Sequence, residues 1–265
     1  VFERGPLPAP QAQGLLVFFL IWVLSAFAAI TTSDKQVHWN SMILQLVIVG
    51  GIPLAFSWLQ RLEFTSVYKW RHVSLSDALL SLLISGCLVV ILSAIEDLQA
   101  HFIPRVPEVD RKMAEFLTAE SPAHFILVLI SMALVPSICE EICFRGYLLD
   151  RFSGKDSQAL SIVLTSVMFG LFHQDYSRFL TTTLAGVLLA WLVIRTGSLC
   201  TAIIVHFGVN AWGIIMINSP VRHWLSRTDG NPHMPLWLMA LSLLGIYVIS
   251  WRLTRKRSLI AGSRS

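Results

Sequence analysis

Residues 125–152 read FILVLISMALVPSICEEICFRGYLLDRF. Phe125 to Cys139 is apolar enough to enter a bilayer. Beyond Glu140, Glu141 and Arg145, the residues Phe144, Tyr147, Leu148, Leu149 and Phe152 carry the apolar pattern on to a turn at Ser153-Gly154-Lys155-Asp156. A hydrocarbon core about 30 Å thick needs about 20 mostly apolar helical residues. This stretch therefore reads as a membrane span that carries two adjacent carboxylates and a guanidinium inside it.

The rest of the 265-residue chain agrees. Apolar residues make up 55% and charged residues 14%, against about 25% charged in soluble domains, too few to coat a water-facing globule. Nine Trp and fifteen Phe exclude a polar disordered tract. Runs of near-spanning length occur at Gly14 to Ile30, Met42 to Leu59, Ala78 to Ile95, Phe125 to Cys139, Ala159 to Phe172, Phe179 to Ile194, Leu199 to Ile217 and Leu236 to Leu253. The expectation is an all-α polytopic protein of about eight transmembrane helices, one integral membrane domain over 1–265. The first run is read as a span; Ala26-Phe27-Ala28 resembles a cleavage site, but its basic flank is a lone Arg4. The chain starts at Val1, which leaves a preceding segment open. The connection Glu96 to Ala123 reads as surface helix and loop.

The net charge is +4, and a membrane setting explains it better than nucleic acid does. Eight spans put both ends on one side. Thirteen Lys and Arg then fall on the side of the termini, and seven, Lys35, Arg105, Arg111, Lys112, Arg178, Arg222 and Arg227, on the other. By the excess of basic residues in cytoplasmic loops, a multi-pass protein of the plasma or inner membrane with both termini in the cytoplasm is expected. Cys87, Cys139, Cys143 and Cys200 lie in or beside apolar runs and read as packers rather than a disulfide framework.

Ionisable groups inside a bilayer cost at least about 2.5 kcal/mol each and usually face a cavity. Three sets stand out: Glu140-Glu141 with Arg145, His173, and His206 with Asn210. Glu140 lies about 15 residues before the 153–156 turn and His173 about 18 after it, so both sit roughly 22 to 27 Å from that turn along antiparallel helices. His206 and Asn210 lie about 9 and 13 residues beyond the next turn at Gly197, roughly 14 to 20 Å deep. One site from three helices is then geometrically possible. Glu141 and Arg145, four apart, share a face and can pair; Glu140 is turned about 100° away from Glu141 and is the carboxylate left for chemistry. Pro136 is expected to kink the helix and free the carbonyl of Met132.

Glu140-Glu141-x-x-x-Arg145, Phe169-x-x-x-His173 and His206-x-x-x-Asn210 resemble the three motifs of the CPBP family. That family comprises type II CAAX prenyl proteases, Ras-converting enzymes and bacterial abortive-infection or bacteriocin-immunity relatives. The agreement covers roughly Ser131 to Ile217, within a catalytic core of about 123–217. The resemblance implies an intramembrane endopeptidase of glutamic type, its cavity open toward the cytoplasm and its substrate a membrane-associated protein or peptide, such as a prenylated CAAX tail. Glu140 would activate water with help from His173. His206 and Asn210 would position the water and stabilise the oxyanion, and Glu141 and Arg145 would support the base. No cofactor is required by this scheme. A zinc version remains the rival within the enzyme class, with His173, His206 and Glu140 as ligands and Cys139 and Cys143 as possible thiolates. Outside it, a buried Glu and two His also suit a proton-coupled transporter or a non-catalytic immunity scaffold.

Overall fold

The computed structural model describes residues 9–31, 36–154, 158–219 and 235–262. Among them it contains ten helices and no strand: α1 Pro10–Thr31, α2 Val37–Leu59, α3 Phe64–Tyr68, α4 Leu75–Ala100, α5 Pro107–Leu117, α6 Pro122–Phe152, α7 Gln158–Phe172, α8 Phe179–Thr196, α9 Leu199–Ile217 and α10 Leu236–Gly262. Seven of these, α1, α2, α4, α6, α8, α9 and α10, are long and apolar enough to cross a membrane. The chain is an all-α multi-pass membrane protein. The fifth expected span is present as α7, but its 15 residues reach only about 22 Å at 1.5 Å per residue, short of the bilayer core. The Glu96 to Ala123 connection contains the amphipathic helix α5. Asn218, at the end of α9, holds the region just after it, donating to Leu117 O and accepting from the Ala119 N–H.

Two apolar clusters flank the middle of the bundle. One joins α1, α2, the second half of α6 and α7 through Val17, Ile21, Val49, Phe144, Tyr147 and Phe169. The other joins α4, α8, α9 and α10 through Ile84, Leu189, Leu192, Val205 and Leu253. All four cysteines are free thiols; Cys139 faces Gly50 of α2, and Cys143 lies inside the aromatic cluster.

Two helices change winding where they pass the centre. α2 is π-helical over Leu44–Gly50, and α6 over Ile130–Leu134 and Ile142–Leu148. Such i→i+5 segments inside α-helices tend to mark functional sites. The first π segment of α6 ends one residue before Val135-Pro136, so the helix meets the proline by widening its turn and runs on to Phe152. α7 stops early because Gln174 takes a left-handed backbone (φ 54°). Its freed end is held by α1: Trp22 Nε1 donates to Leu171 O (3.0 Å) and Gln174 Nε2 to Trp22 O (3.4 Å).

Gly146 is where α3 meets α6. A Cβ there would overlap the ring of Tyr68, whose hydroxyl bonds Ser57 Oγ (2.7 Å) and Pro53 O (3.3 Å). Burial pushes the Tyr68 phenol up to about 12, so it stays a neutral donor. Gly146→Ala is expected to destabilise the protein by about 1–3 kcal/mol through this overpacking. Gly213→Ala, where a Cβ meets nothing within 4 Å, should cost nothing; thermal unfolding in detergent compares the two.

Candidate active site

Glu140 and Glu141 sit at the end of the middle α-helical stretch of α6, and both are buried. Glu141 is at 0% exposure and Arg145 at 1%, and their ion pair, Nη1 to Oε1, measures 2.7 Å. The same Glu141 Oε1 accepts from His206 Nδ1 on α9 at 2.8 Å. An ionised carboxylate is an acceptor only, so Nδ1 carries the hydrogen. In the neutral ring Nε2 is then an acceptor, and it lies 3.8 Å from Glu140 Oε2. Glu141 thus does more than hold its own helix, because it fixes the tautomer and direction of the imidazole that faces Glu140.

Glu140 has no partner within α6, as expected, but it has one across the bundle. Gln45 Nε2, in the π segment of α2, donates to Glu140 Oε1 at 2.8 Å. Glu140 Oε2 is buried without a hydrogen-bond partner among the described residues, as is Gln45 Oε1. The carboxylate is therefore pinned by one oxygen and presents the other toward His206.

His173 stands one residue beyond α7 rather than inside a span. Its Nδ1 is 2.8 Å from Phe169 O; a carbonyl accepts, so Nδ1 again carries the hydrogen and leaves Nε2 as an acceptor. The early end of α7 brings this histidine to the site, irregular backbone being tolerated at membrane depth where it lines a cavity. Phe169 connects the three motifs. Its ring lies 4.1 Å from the Arg145 guanidinium carbon and packs edgewise on His173 (4.7 Å), Phe144 (5.1 Å) and His206 (5.7 Å). Gly186 of α8 leaves room for the outer side of that guanidinium.

A cavity of about 440 Å³ unites these groups. Gln45, Glu140, His173, His206 and Asn210 line it, with Met132 and Pro136 continuing the Glu140 face of α6 at i−4 steps. Glu141 and Arg145 lie behind the wall and act through His206 and Phe169. All six residues singled out from the sequence are thus in or directly behind one site. Gln45 and the cross-bracing by Phe169 were not anticipated; a lone Gln inside an apolar run was the available signal for the former. Among the described residues no group of three or more His, Cys, Asp or Glu side chains is arranged to hold a metal ion. The two candidate thiolates are engaged in packing. His38 and His124 bond each other (3.2 Å) where α2 and α6 begin, with His38 also on Ser131 (3.0 Å), away from the site. His223 and His233 fall outside the described residues.

Residues 122–212 match the family described as type II CAAX prenyl endopeptidase Rce1-like. The similarity covers about a third of the chain. The matched segment holds every motif residue named above except Gln45, which lies upstream, and it agrees with the resemblance carried by the three motifs. Among curated proteins, "Putative membrane peptidase YdiL" of Bacillus subtilis (strain 168) is 32% identical over 101 residues, 38% of this chain and 41% of the relative. The match thus spans about two fifths of the relative's length. No solved structure matches the chain.

The buried pair behind this cavity has a measurable signature. Removing one partner of a buried ion pair costs about 3–5 kcal/mol, whereas replacing both by apolar residues is often close to neutral. Arg145→Met alone is expected to destabilise by that amount. Glu141→Leu with Arg145→Met should recover most of it while still losing the orientation of His206, as read by chemical denaturation in mixed micelles.

Proposed function

We propose that the protein is an intramembrane endopeptidase that cleaves a membrane-associated protein or peptide with water activated by Glu140. The observation that carries this reading is the opposition of Glu140 Oε2 and His206 Nε2 at 3.8 Å on the wall of a cavity. That spacing is too long for a direct hydrogen bond, but a water at ordinary bonding distance from both fits as the apex of a triangle. Such a water gives one hydrogen to the carboxylate and the other to the imidazole, and turns its lone pair into the cavity.

In the reaction Glu140 removes a proton as the water oxygen attacks the scissile carbonyl carbon, general base catalysis of the kind worth about 10²–10⁴-fold. Gln45 holds the other carboxylate oxygen, so the base cannot rotate away. The side-chain amide of Asn210, one helical turn beyond His206, supplies a donor for the oxyanion, where fixed dipoles in a water-poor site contribute most. The proton held by Glu140 then passes to the leaving amine as the C–N bond breaks, with the His173 imidazole available as a relay. No step calls for a metal, and we place none in the scheme. The Rce1-like segment and the relative named as a membrane peptidase support the same hydrolytic class. A prenylated CAAX-type tail is the substrate that the family's description names. The cell membrane, with both termini in the cytoplasm, is the location that the basic residues favour.

Glu140→Gln is isosteric and should lower cleavage by at least about 10²-fold while leaving thermal unfolding unchanged. A comparison of the membrane proteomes of cells with wild type and Glu140→Gln is expected to reveal a neo-C-terminus present only with the former. Chelator treatment of the purified enzyme should leave the rate unchanged. Equal processing by both proteins would overturn the glutamate mechanism, and loss on chelation that returns with zinc would replace it by the metal-dependent version.

A further inference from the structure

Hydrogen bonds and contacts between connecting segments sort the ends of the helices into two faces. On the first, Ser198 Oγ donates to Arg71 O (3.1 Å) and Leu199 N to Lys69 O (3.2 Å), and the start of α1 at Gly14 packs on Arg151 and Phe152 at the end of α6. On the second, Gln99 donates to Ser177 O (2.7 Å), Asn218 to Leu117 O (2.8 Å), and His38 bonds His124 (3.2 Å). The cavity belongs to the second face. Beyond the catalytic groups its walls are Ser93 and Glu96 near the end of α4, Met113 and Leu117 of α5, and Arg178 before α8. No residue of 60–74, 153–154 or 197–198 lines it.

The basic residues fall the other way. Arg145 is buried in the site and has no bearing on orientation. Among the described residues, nine of the remaining Lys and Arg lie at the first face, in 60–74, at the ends of α6 and α8 and in the last turns of α10, and four, Arg105, Arg111, Lys112 and Arg178, lie at the second. Three of those four are engaged with acids: Arg105 with Glu96 and Asp97, Arg111 with Glu108 and Glu115, and Arg178 with Asp110 and Asp175. The cytoplasmic excess of basic residues therefore assigns the first face to the cytoplasm. A cavity opening to the cytoplasm and cytoplasmic termini are incompatible in this fold, and the charge distribution decides between them.

We infer that the active site opens away from the cytoplasm and takes, as substrate, a segment of an exported or membrane-anchored polypeptide that stands on the non-cytoplasmic side. This rests on the endopeptidase reading for the word substrate, but the direction of opening stands on its own geometry. A prenylated C-terminal tail, held on the cytoplasmic leaflet, cannot reach such a mouth. A peptide bond just outside or within the outer half of a span can, entering between α4, α5 and α8 past Glu96 and Arg178 to reach Glu140.

Cysteine accessibility in intact cells tests the direction without requiring cleavage. Glu120→Cys and His72→Cys put an exposed thiol on the second and first faces respectively, and the wild type with its four native cysteines is the blank. With a membrane-impermeant maleimide, Glu120→Cys is expected to label in intact cells and His72→Cys only after permeabilisation. Ile103→Cys and Arg61→Cys repeat the comparison should either first variant fail to accumulate. The reverse pattern, or equal labelling of both faces in intact cells, overturns the inference. Failure of the endopeptidase reading would appear instead as processing indifferent to Glu140→Gln, with the labelling pattern intact.

Discussion

Everything at the centre of this protein depends on one carboxylate oxygen, Glu141 Oε1, which accepts from both Arg145 Nη1 (2.7 Å) and His206 Nδ1 (2.8 Å). In a bilayer a buried ion can persist only when paired and hydrogen-bonded. The guanidinium makes Glu141 tolerable, and the ionised Glu141 in turn dictates which nitrogen of His206 carries hydrogen. The result is an imidazole acceptor aimed at Glu140. The adjacent acidic residues thus divide the work by direction. One faces inward and builds the site, while the other faces the cavity, where the proposed mechanism uses it as the base.

Phe169 gives this charged core its apolar support. A cation over its face and two imidazoles set perpendicular to its ring meet on this one side chain, which so links α6, α7 and α9. The π-helical segments of α2 and α6 lie on either side of the same point. One of them carries Gln45, whose side chain fixes Glu140 from a fourth helix. α7 ends short of the membrane's width, which lets His173 complete the cavity wall from a turn.

The spans were legible because an apolar run of near-spanning length is seldom anything but a membrane helix, and the placement of α1, α2, α4, α6, α8, α9 and α10 follows it. The site was legible through spacing. Glu141 and Arg145 at i, i+4, and His206 and Asn210 at i, i+4, put each pair on one helix face whatever the neighbours do. Partners across helices were not legible. Nothing in the residues around Gln45 says which helix it meets. Depth along ideal helices puts Glu140 and His173 at one level, but His173 stands beyond the end of α7, because a left-handed Gln174 has no strong sequence signature. The side of the membrane also needed the fold, since the turn used to measure depth proves to lie opposite the mouth of the cavity.

An experimental structure of the wild type in a lipid nanodisc, at a resolution that shows ordered water, tests the central claim most directly. The account predicts one water within hydrogen-bond distance of both Glu140 Oε2 and His206 Nε2, with Glu141 Oε1 still bridging Arg145 and His206. Glu140 turned toward lipid or toward a second cation, with His206 Nδ1 released from Glu141, would contradict it.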